Sequence, residues 1–353
     1  MAKVLMKGNE AIAEAAIMAG CRFYFGYPIT PQSQIPEYMS RRMPQVGGTF
    51  LQAESEIAAI NMVYGAAGAG ARAMTSSSSP GISLKQEGIS YIAGAELPCV
   101  IVNIVRGGPG LGSIQAAQSD YFQATKGGGH GDYHLITLAP ASVQEAGDLV
   151  QLAFDLADEY RCPAMILGDG MIGQMMEPVE LKTPEVKKFD KSWATTGYDG
   201  TRERSIINSL YIESEALEAL NLRLQARYRE IEKKQTRFEA FNIENADYVI
   251  VAYGTVSRIV KSAMALAKEQ GMHIGLLRPI TLWPFPSEAI SKIADEKNVK
   301  SIVCVEMSAG QMVEDVRLAV NGKKNVEFLG KLGSIIPTPE EIVEFVAALK
   351  GRE

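Results

Sequence analysis

Residues 98–105, PCVIVNIV, stop at Arg106 and run straight into GGPGLG, with Asn103 the lone polar side chain among them. A strand wetted on one side alternates apolar with polar residues, so an unbroken apolar run is buried on both faces, as in a parallel sheet covered by helices. Residues 162–170, CPAMILGDG, repeat the pattern and stop at Asp169. Helical patterns lie between such runs, GNEAIAEAAIMA at 8–19 and an amphipathic stretch at 142–160, with shorter strands CRFYF at 21–25 and ARAMT at 71–75. This alternation specifies an α/β fold on a parallel sheet, with ligands at the carboxyl ends of its strands.

Several polar residues fall at such ends. The stretch 49–72, TFLQAESEIAAINMVYGAAGAGAR, reads as a strand followed by Glu54 and Glu56 where a helix begins. A glutamate in a first helical turn is stabilised by the helix dipole, and that is its plain structural reading. Gly65, Gly68 and Gly70 weaken the helix behind it, so they predict a backbone pressed against another backbone or a ligand, which makes the carboxylates candidate chemistry. After CRFYF comes GYPITP, where Thr30 or Ser33 is placed to cap a helix, and where the Thr30 hydroxyl is equally placed to meet a ligand. The run Ser76 to Gly81 precedes a helix expected over 82–94, a helix amino end suited to polar or anionic groups. Arg106 closes a buried strand, ready for a bidentate carboxylate or for a structural ion pair.

Residues 113–134 form a polar loop with a short helix. His130 and His134 lie four apart, but GGGHGD is too Gly-rich for a helix to hold that spacing for a metal. Between about 178 and 240 Lys and Glu become frequent, and 213–237 reads as a charged helix with Leu217, Leu220, Leu222 and Leu224 as its seam. From Asp247 a second α/β unit opens, with strands in DYVIVAYGT, HIGLLRP, SIVCVE and VEFLG, and with ITLWPFP as a loop. The expected division is 1–180, a linker excursion over 181–245, and 246–353.

A net charge of −6 and a pI near 5.4 argue against nucleic acid, which is bound through clustered Lys and Arg. The start MAKVLMKGNE lacks a signal peptide's apolar core, and no run approaches a membrane span, so a cytoplasmic protein is expected. Cys21, Cys99, Cys162 and Cys304 stand far apart with no CxxC pair, which predicts buried free thiols and no zinc or iron–sulfur site built by this chain alone. No G-x-G-x-x-G follows the first strand, against a Rossmann-type NAD enzyme.

The strings GYPITPQS (26–33), AESEIAAINMVYGAAGAGARAMTSSSSPGISL (53–84), Arg106 with GGPGLG, QSD (118–120), GDG (168–170), LLRPITLWPFP (276–286) and VEMSAGQMVEDVR (305–317) recur here in order. Together they resemble the alpha subunit of the 2-oxoacid:ferredoxin oxidoreductases, nearest the 2-oxoisovalerate (branched-chain) type, over nearly the whole chain. The resemblance implies a thiamine-diphosphate pyrimidine-binding domain on a parallel sheet, followed by a smaller transketolase-C-terminal-like α/β domain. It implies oxidative decarboxylation of a 2-oxoacid with CoA to acyl-CoA, CO2 and reduced ferredoxin, with 2-oxoglutarate as the alternative substrate and a non-catalytic assembly module as the alternative role.

By the same likeness Glu56, counted back from Tyr64-Gly65, bonds N1′ of the aminopyrimidine, with Glu54 as the competing position. That task needs a carboxyl in a dry pocket where it can share a proton. Tyr27, Pro28, Ser79 and Gly81 would border the cofactor, and Thr30 and Arg106 would meet the substrate. Family members hold magnesium through GDG followed by Asn-Asn. Gly168-Asp169-Gly170 begins that pattern, but Asn-Asn is missing. Thiamine diphosphate is therefore expected to be shared with a beta subunit carrying the diphosphate and magnesium, with iron–sulfur clusters on a further subunit that passes electrons to ferredoxin. Such a chain is inactive alone and works in an oligomer.

Overall fold

The computed structural model describes residues 3–185, 187–198 and 200–351. Among these residues the strands form three sheets. The largest has seven strands in the order Thr281–Trp283, Ile136–Leu138, Pro163–Asp169, Cys99–Val105, Ala73–Ser77, Phe23–Gly26 and Thr49–Gln52. All but the first of these run parallel, in registers such as Phe23 with Thr49 and Cys99 with Pro163. Every residue of 99–105 and 163–169 is buried, which is why both read as unbroken apolar runs. The α/β, parallel-sheet class expected from the sequence is the class observed.

A second sheet of five strands is ordered Asn325–Gly330, Ser301–Glu306, Tyr248–Val251, Ile274–Pro279 and Phe238–Phe241, the last of them antiparallel. The sequence pattern missed Phe238–Phe241, the paired short strands Val4–Lys7 and Met176–Val179, and the terminal helix Pro339–Lys350. ITLWPFP is not all loop. Residues 281–283 form a strand that pairs antiparallel with 136–138, so the later part of the chain completes the edge of the earlier sheet. Three residues show no periodicity, and only the partner strand makes them a strand.

Other ties bind the two sheets. Gln118 donates to the Tyr253 carbonyl (3.0 Å) and accepts from the Met307 N–H (3.0 Å). Tyr121 donates to Asp315 (2.6 Å), and Arg278 pairs with Glu145 (2.7 Å) while it also holds Glu239 (3.0 Å) on the neighbouring strand of its own sheet. Glu306 is fully buried yet satisfied: it accepts from the Ser308 hydroxyl and from the N–H groups of Gln311, Met312 and Val313, capping the Met312–Val320 helix.

The charged helix spans Ser214–Gln235, but its seam differs from the expected one. Leu220, Leu224, Tyr228 and Ile231 are buried, spaced by four and three, whereas Leu217 and Leu222 are exposed. Leu222 lies off that stripe, and Leu217 precedes the packed part. The four cysteines are free and buried, and among the described residues no helix is long and apolar enough to cross a membrane.

Candidate active site

Strand order in the large sheet reverses at Phe23–Gly26: the chain steps outward to 49–52, then returns to 73–77 on the other side and continues to 99–105. A crevice opens at such a reversal, beyond the carboxyl ends of the strands. The residues following those four strands are Tyr27 to Thr30, Glu54 to Glu56, Ser78 to Gly81, and Arg106.

Glu56 opens the Glu56–Gly68 helix, capped by Ser55, whose hydroxyl accepts from the Ala58 N–H (3.2 Å). The side chain of Glu56 turns inward and is 6% exposed, whereas Glu54 faces solvent. What it turns toward is Gly81, in the first turn of the next helix, Ser79–Gly94. A Cβ built on Gly81 would overlap Ser77 Oγ and come within 2.6 Å of Glu56 Oε1. Only glycine leaves that space, and overpacking of this kind costs about 1–3 kcal/mol. Two turns on, Gly88 receives Ile60 in the same way, with a built Cβ 2.5 Å from Ile60 Cγ2. The glycines that admit Glu56 and Ile60 are thus on 79–94; of the three expected to be pressed, a Cβ built on Gly70 would come within 2.9 Å of Ala194 Cβ, Gly68 meets Ile207 only at ordinary contact distance, and Gly65 faces open space.

Between these glycines, on the same face, sits Lys85. It is fully buried, and its Nζ has no hydrogen-bond partner among the described residues. Burial pushes its pKa down to about 8, and the charge of Glu56 partly opposes that fall. The hydroxyls of Thr75, Ser77 and Ser78 are also buried without a partner. The sequence reading passed over Lys85. Its signal was a lone cation four residues after Gly81 and three before Gly88, on a stripe that close packing requires to be buried.

The linkage has a definite sign. The folded state holds the Lys85 proton less tightly than an unfolded chain with the ordinary value of 10.5. Between about pH 8 and 10.5 the unfolded state therefore binds more protons, and stability rises with pH across that window. Thermal unfolding of Lys85→Met is expected to give a higher Tm than wild type at pH 7 and to lose the rise between pH 8 and 10. A lower Tm at both pH values would contradict the burial of a charged amine.

Arg106 is 8% exposed, and no carboxylate pairs with it among the described residues. One terminal nitrogen donates to the Thr30 carbonyl (3.0 Å) and the other to the Leu111 carbonyl (3.0 Å), while Nε is left without a partner. The structural ion pair allowed by the sequence is absent from this set. Ser79 Oγ accepts from the Arg106 N–H (3.1 Å) and donates to its carbonyl (3.3 Å). The first turn of 79–94 thus touches Arg106 through Ser79 and Glu56 through Gly81. Beside it a cavity of about 590 Å3 is lined by Ser79, Gly108, Pro109, Asp120, Ser308 and Gln311. Burial pushes the Asp120 carboxyl up, against hydrogen bonds from Ser79 and Asn103.

Tyr27, Pro28 and Thr30 are exposed at the mouth of the crevice. Neither Thr30 nor Ser33 caps a helix through its side chain: the helix begins at Gln34, and Ser33 has helical φ/ψ with no cap bond. The later helix starts at Ser79, not at 82, because Pro80 and Gly81 fit inside a first turn. Asp169 is spent on capping, accepting from Met171 (2.9 Å) and Ile172 (3.1 Å). His134 stacks on Trp283 at 4.5 Å beside a separate cavity of about 660 Å3, and among the described residues no three metal-ligating side chains gather.

Residues 14–236 match the family model described as "Pyruvate flavodoxin/ferredoxin oxidoreductase, thiamine diP-bdg", and residues 246–342 match "Pyruvate:ferredoxin oxidoreductase core domain II". The chain is 49% identical, over 99% of both lengths, to ketoisovalerate oxidoreductase subunit VorB of Methanothermobacter thermautotrophicus. It is 38% identical to 2-oxoglutarate synthase subunit KorA of Methanocaldococcus jannaschii, over 96% of this chain and 97% of that protein. A structure of 2-oxoglutarate:ferredoxin oxidoreductase from Magnetococcus marinus, with 2-oxoglutarate, coenzyme A and succinyl-CoA bound, superposes with a TM-score of 0.85 at 25% identity. That match covers 98% of this chain and 65% of the other.

Proposed function

The chain belongs to the thiamine-diphosphate-binding 2-oxoacid:ferredoxin oxidoreductase subunits, and from that premise we propose that it forms the pyrimidine side of an active site that oxidatively decarboxylates a branched-chain 2-oxoacid, with CoA and ferredoxin as co-substrates. The observation that carries the reading is the Glu56 carboxylate, buried over a cradle that a single methyl at Gly81 would fill. An aminopyrimidine fits that chemistry: it needs one carboxyl in a dry wall, and the unpartnered hydroxyls of Ser77 and Ser78 supply further polar contacts.

Glu56 would hold the ring nitrogen of the pyrimidine, with Tyr27, Pro28, Ser79 and Gly81 at the border of its pocket. When bound, thiamine diphosphate supplies the carbon nucleophile and the electron sink that decarboxylation of a 2-oxoacid requires. Arg106, already anchored on two backbone carbonyls, directs its remaining N–H groups to the substrate carboxylate, and Thr30 meets the same end of the substrate. Asp169 is committed to its helix, which favours a beta subunit as the source of the diphosphate and magnesium contacts. The buried, separate cysteines likewise favour iron–sulfur clusters on another subunit. The identity of 49% to a ketoisovalerate subunit against 38% to a 2-oxoglutarate subunit supports the branched-chain substrate.

Viologen or ferredoxin reduction by the purified complex, given CoA and one 2-oxoacid at a time, tests this. The highest kcat/KM is expected with 2-oxoisovalerate, and none with the isolated chain. A preference for 2-oxoglutarate would overturn the substrate, and turnover by the chain alone would overturn the half-site.

A further inference from the structure

We propose that Lys85 is the counter-charge of Glu56: a positioning residue whose buried ammonium is set against the carboxylate from the next helix, beside the Gly81 cradle, until an aminopyrimidine takes the carboxylate over. This rests on the thiamine-diphosphate reading of Glu56 and extends it to a residue that touches neither cofactor nor substrate.

The placement is specific. Gly81 and Gly88 let the Ser79–Gly94 helix approach Glu56 and Ile60 closely, and Lys85 stands between them on that face. Packing alone does not explain an amine here, because a methionine would fill a similar length without burying a charge. Nζ makes no hydrogen bond among the described residues, so its compensation is electrostatic, and Glu56 on the facing helix supplies it. The other acids nearby are engaged elsewhere: Glu87, on the same helix, is exposed and bonds Tyr91, Asp120 bonds Asn103, and Asp169 caps its own helix. Tyr64, on the Glu56–Gly68 helix, bonds Ser209.

A consequence follows for binding. A ring that brings positive charge to Glu56 removes the partner that helps Lys85 keep its proton, so the occupied site holds that proton less tightly than the free one. Lys85 then releases a proton to solvent on binding, and affinity rises with pH until the free amine is itself neutral, near the value of about 8. Protons carried by the cofactor titrate alike in wild type and variants, so they cancel in a comparison.

The test measures the Kd of thiamine diphosphate for the purified complex between pH 6.5 and 9 by calorimetry, in buffers of different ionisation enthalpy so that protons released are counted. Wild type is expected to tighten with pH relative to Lys85→Met, by up to tenfold per pH unit below about 8, and to release more protons than the variant. Glu56→Gln should share the flat profile, because the amine then has no carboxylate to lose. Identical pH profiles and proton counts for wild type and Lys85→Met would overturn the counter-charge, whatever the activities. Failure of the wild-type complex to bind thiamine diphosphate at all would instead overturn the functional reading beneath it. The Tm of Lys85→Met reports separately that the variant is folded.

Discussion

Glu56→Gln, in the complex with its partner subunits, is expected to lower kcat by ~10²–10⁴, the range for a positioned acid–base group, with a lower Tm below about pH 8 because the buried Lys85 amine loses its counter-charge. Glutamine keeps the length and shape that fit over Gly81, so the loss isolates the carboxylate's ability to take and return a proton. Single-turnover reduction of the complex separates this from a defect in later electron transfer. The matching control is Glu54→Gln, expected to be nearly silent because Glu54 faces solvent two residues away. The reverse pattern, with Glu54→Gln inactive and Glu56→Gln normal, would remove Glu56 from the site and with it the basis of the proposed half-site.

Arg106→Lys is expected to reduce kcat/KM for the 2-oxoacid by ~30-fold or more, since weakening a buried, hydrogen-bonded charge contact costs about 2 kcal/mol or more and each 1.36 kcal/mol is tenfold. The substitution keeps the charge but loses the planar fork that can serve two carbonyls and a carboxylate together. In this chain that fork already spans Thr30 and Leu111, so a purely architectural arginine is the competing explanation. The two differ in what they move. Loss of architecture lowers the Tm and affects all substrates' kcat, whereas loss of carboxylate recognition raises KM for the oxoacid and leaves KM for CoA unchanged. A lower Tm with an unchanged oxoacid KM would take Arg106 out of substrate binding.

Much of the site could be read in the chain because its residues follow strands whose composition is unambiguous. The run 98–105, apolar but for Asn103, located Arg106, and the strand before Glu54 put two acids at a helix start. The choice between those acids was not local. Both flank Ser55, and which of them turns inward depends on the close approach of the 79–94 helix, permitted by Gly81 and Gly88. Lys85 was missed for the same reason: a lysine in ISLKQEG is ordinarily solvated, and its burial follows from a neighbouring helix about 25 residues earlier in the sequence. The strand at 281–283 was missed because three residues carry no period of their own.

The sequence by itself determined the α/β class, the doubly buried strands and the family, since hydrophobic periodicity and ordered strings are properties of the chain. Only the tertiary structure decided that Glu56 rather than Glu54 lies under cover, that Arg106 anchors on carbonyls instead of an acid, and that the Lys85 amine is buried without a hydrogen-bond partner among the described residues. Those outcomes are set by contacts between segments distant along the chain, where burial and the pairing of charges are decided by what the fold brings alongside.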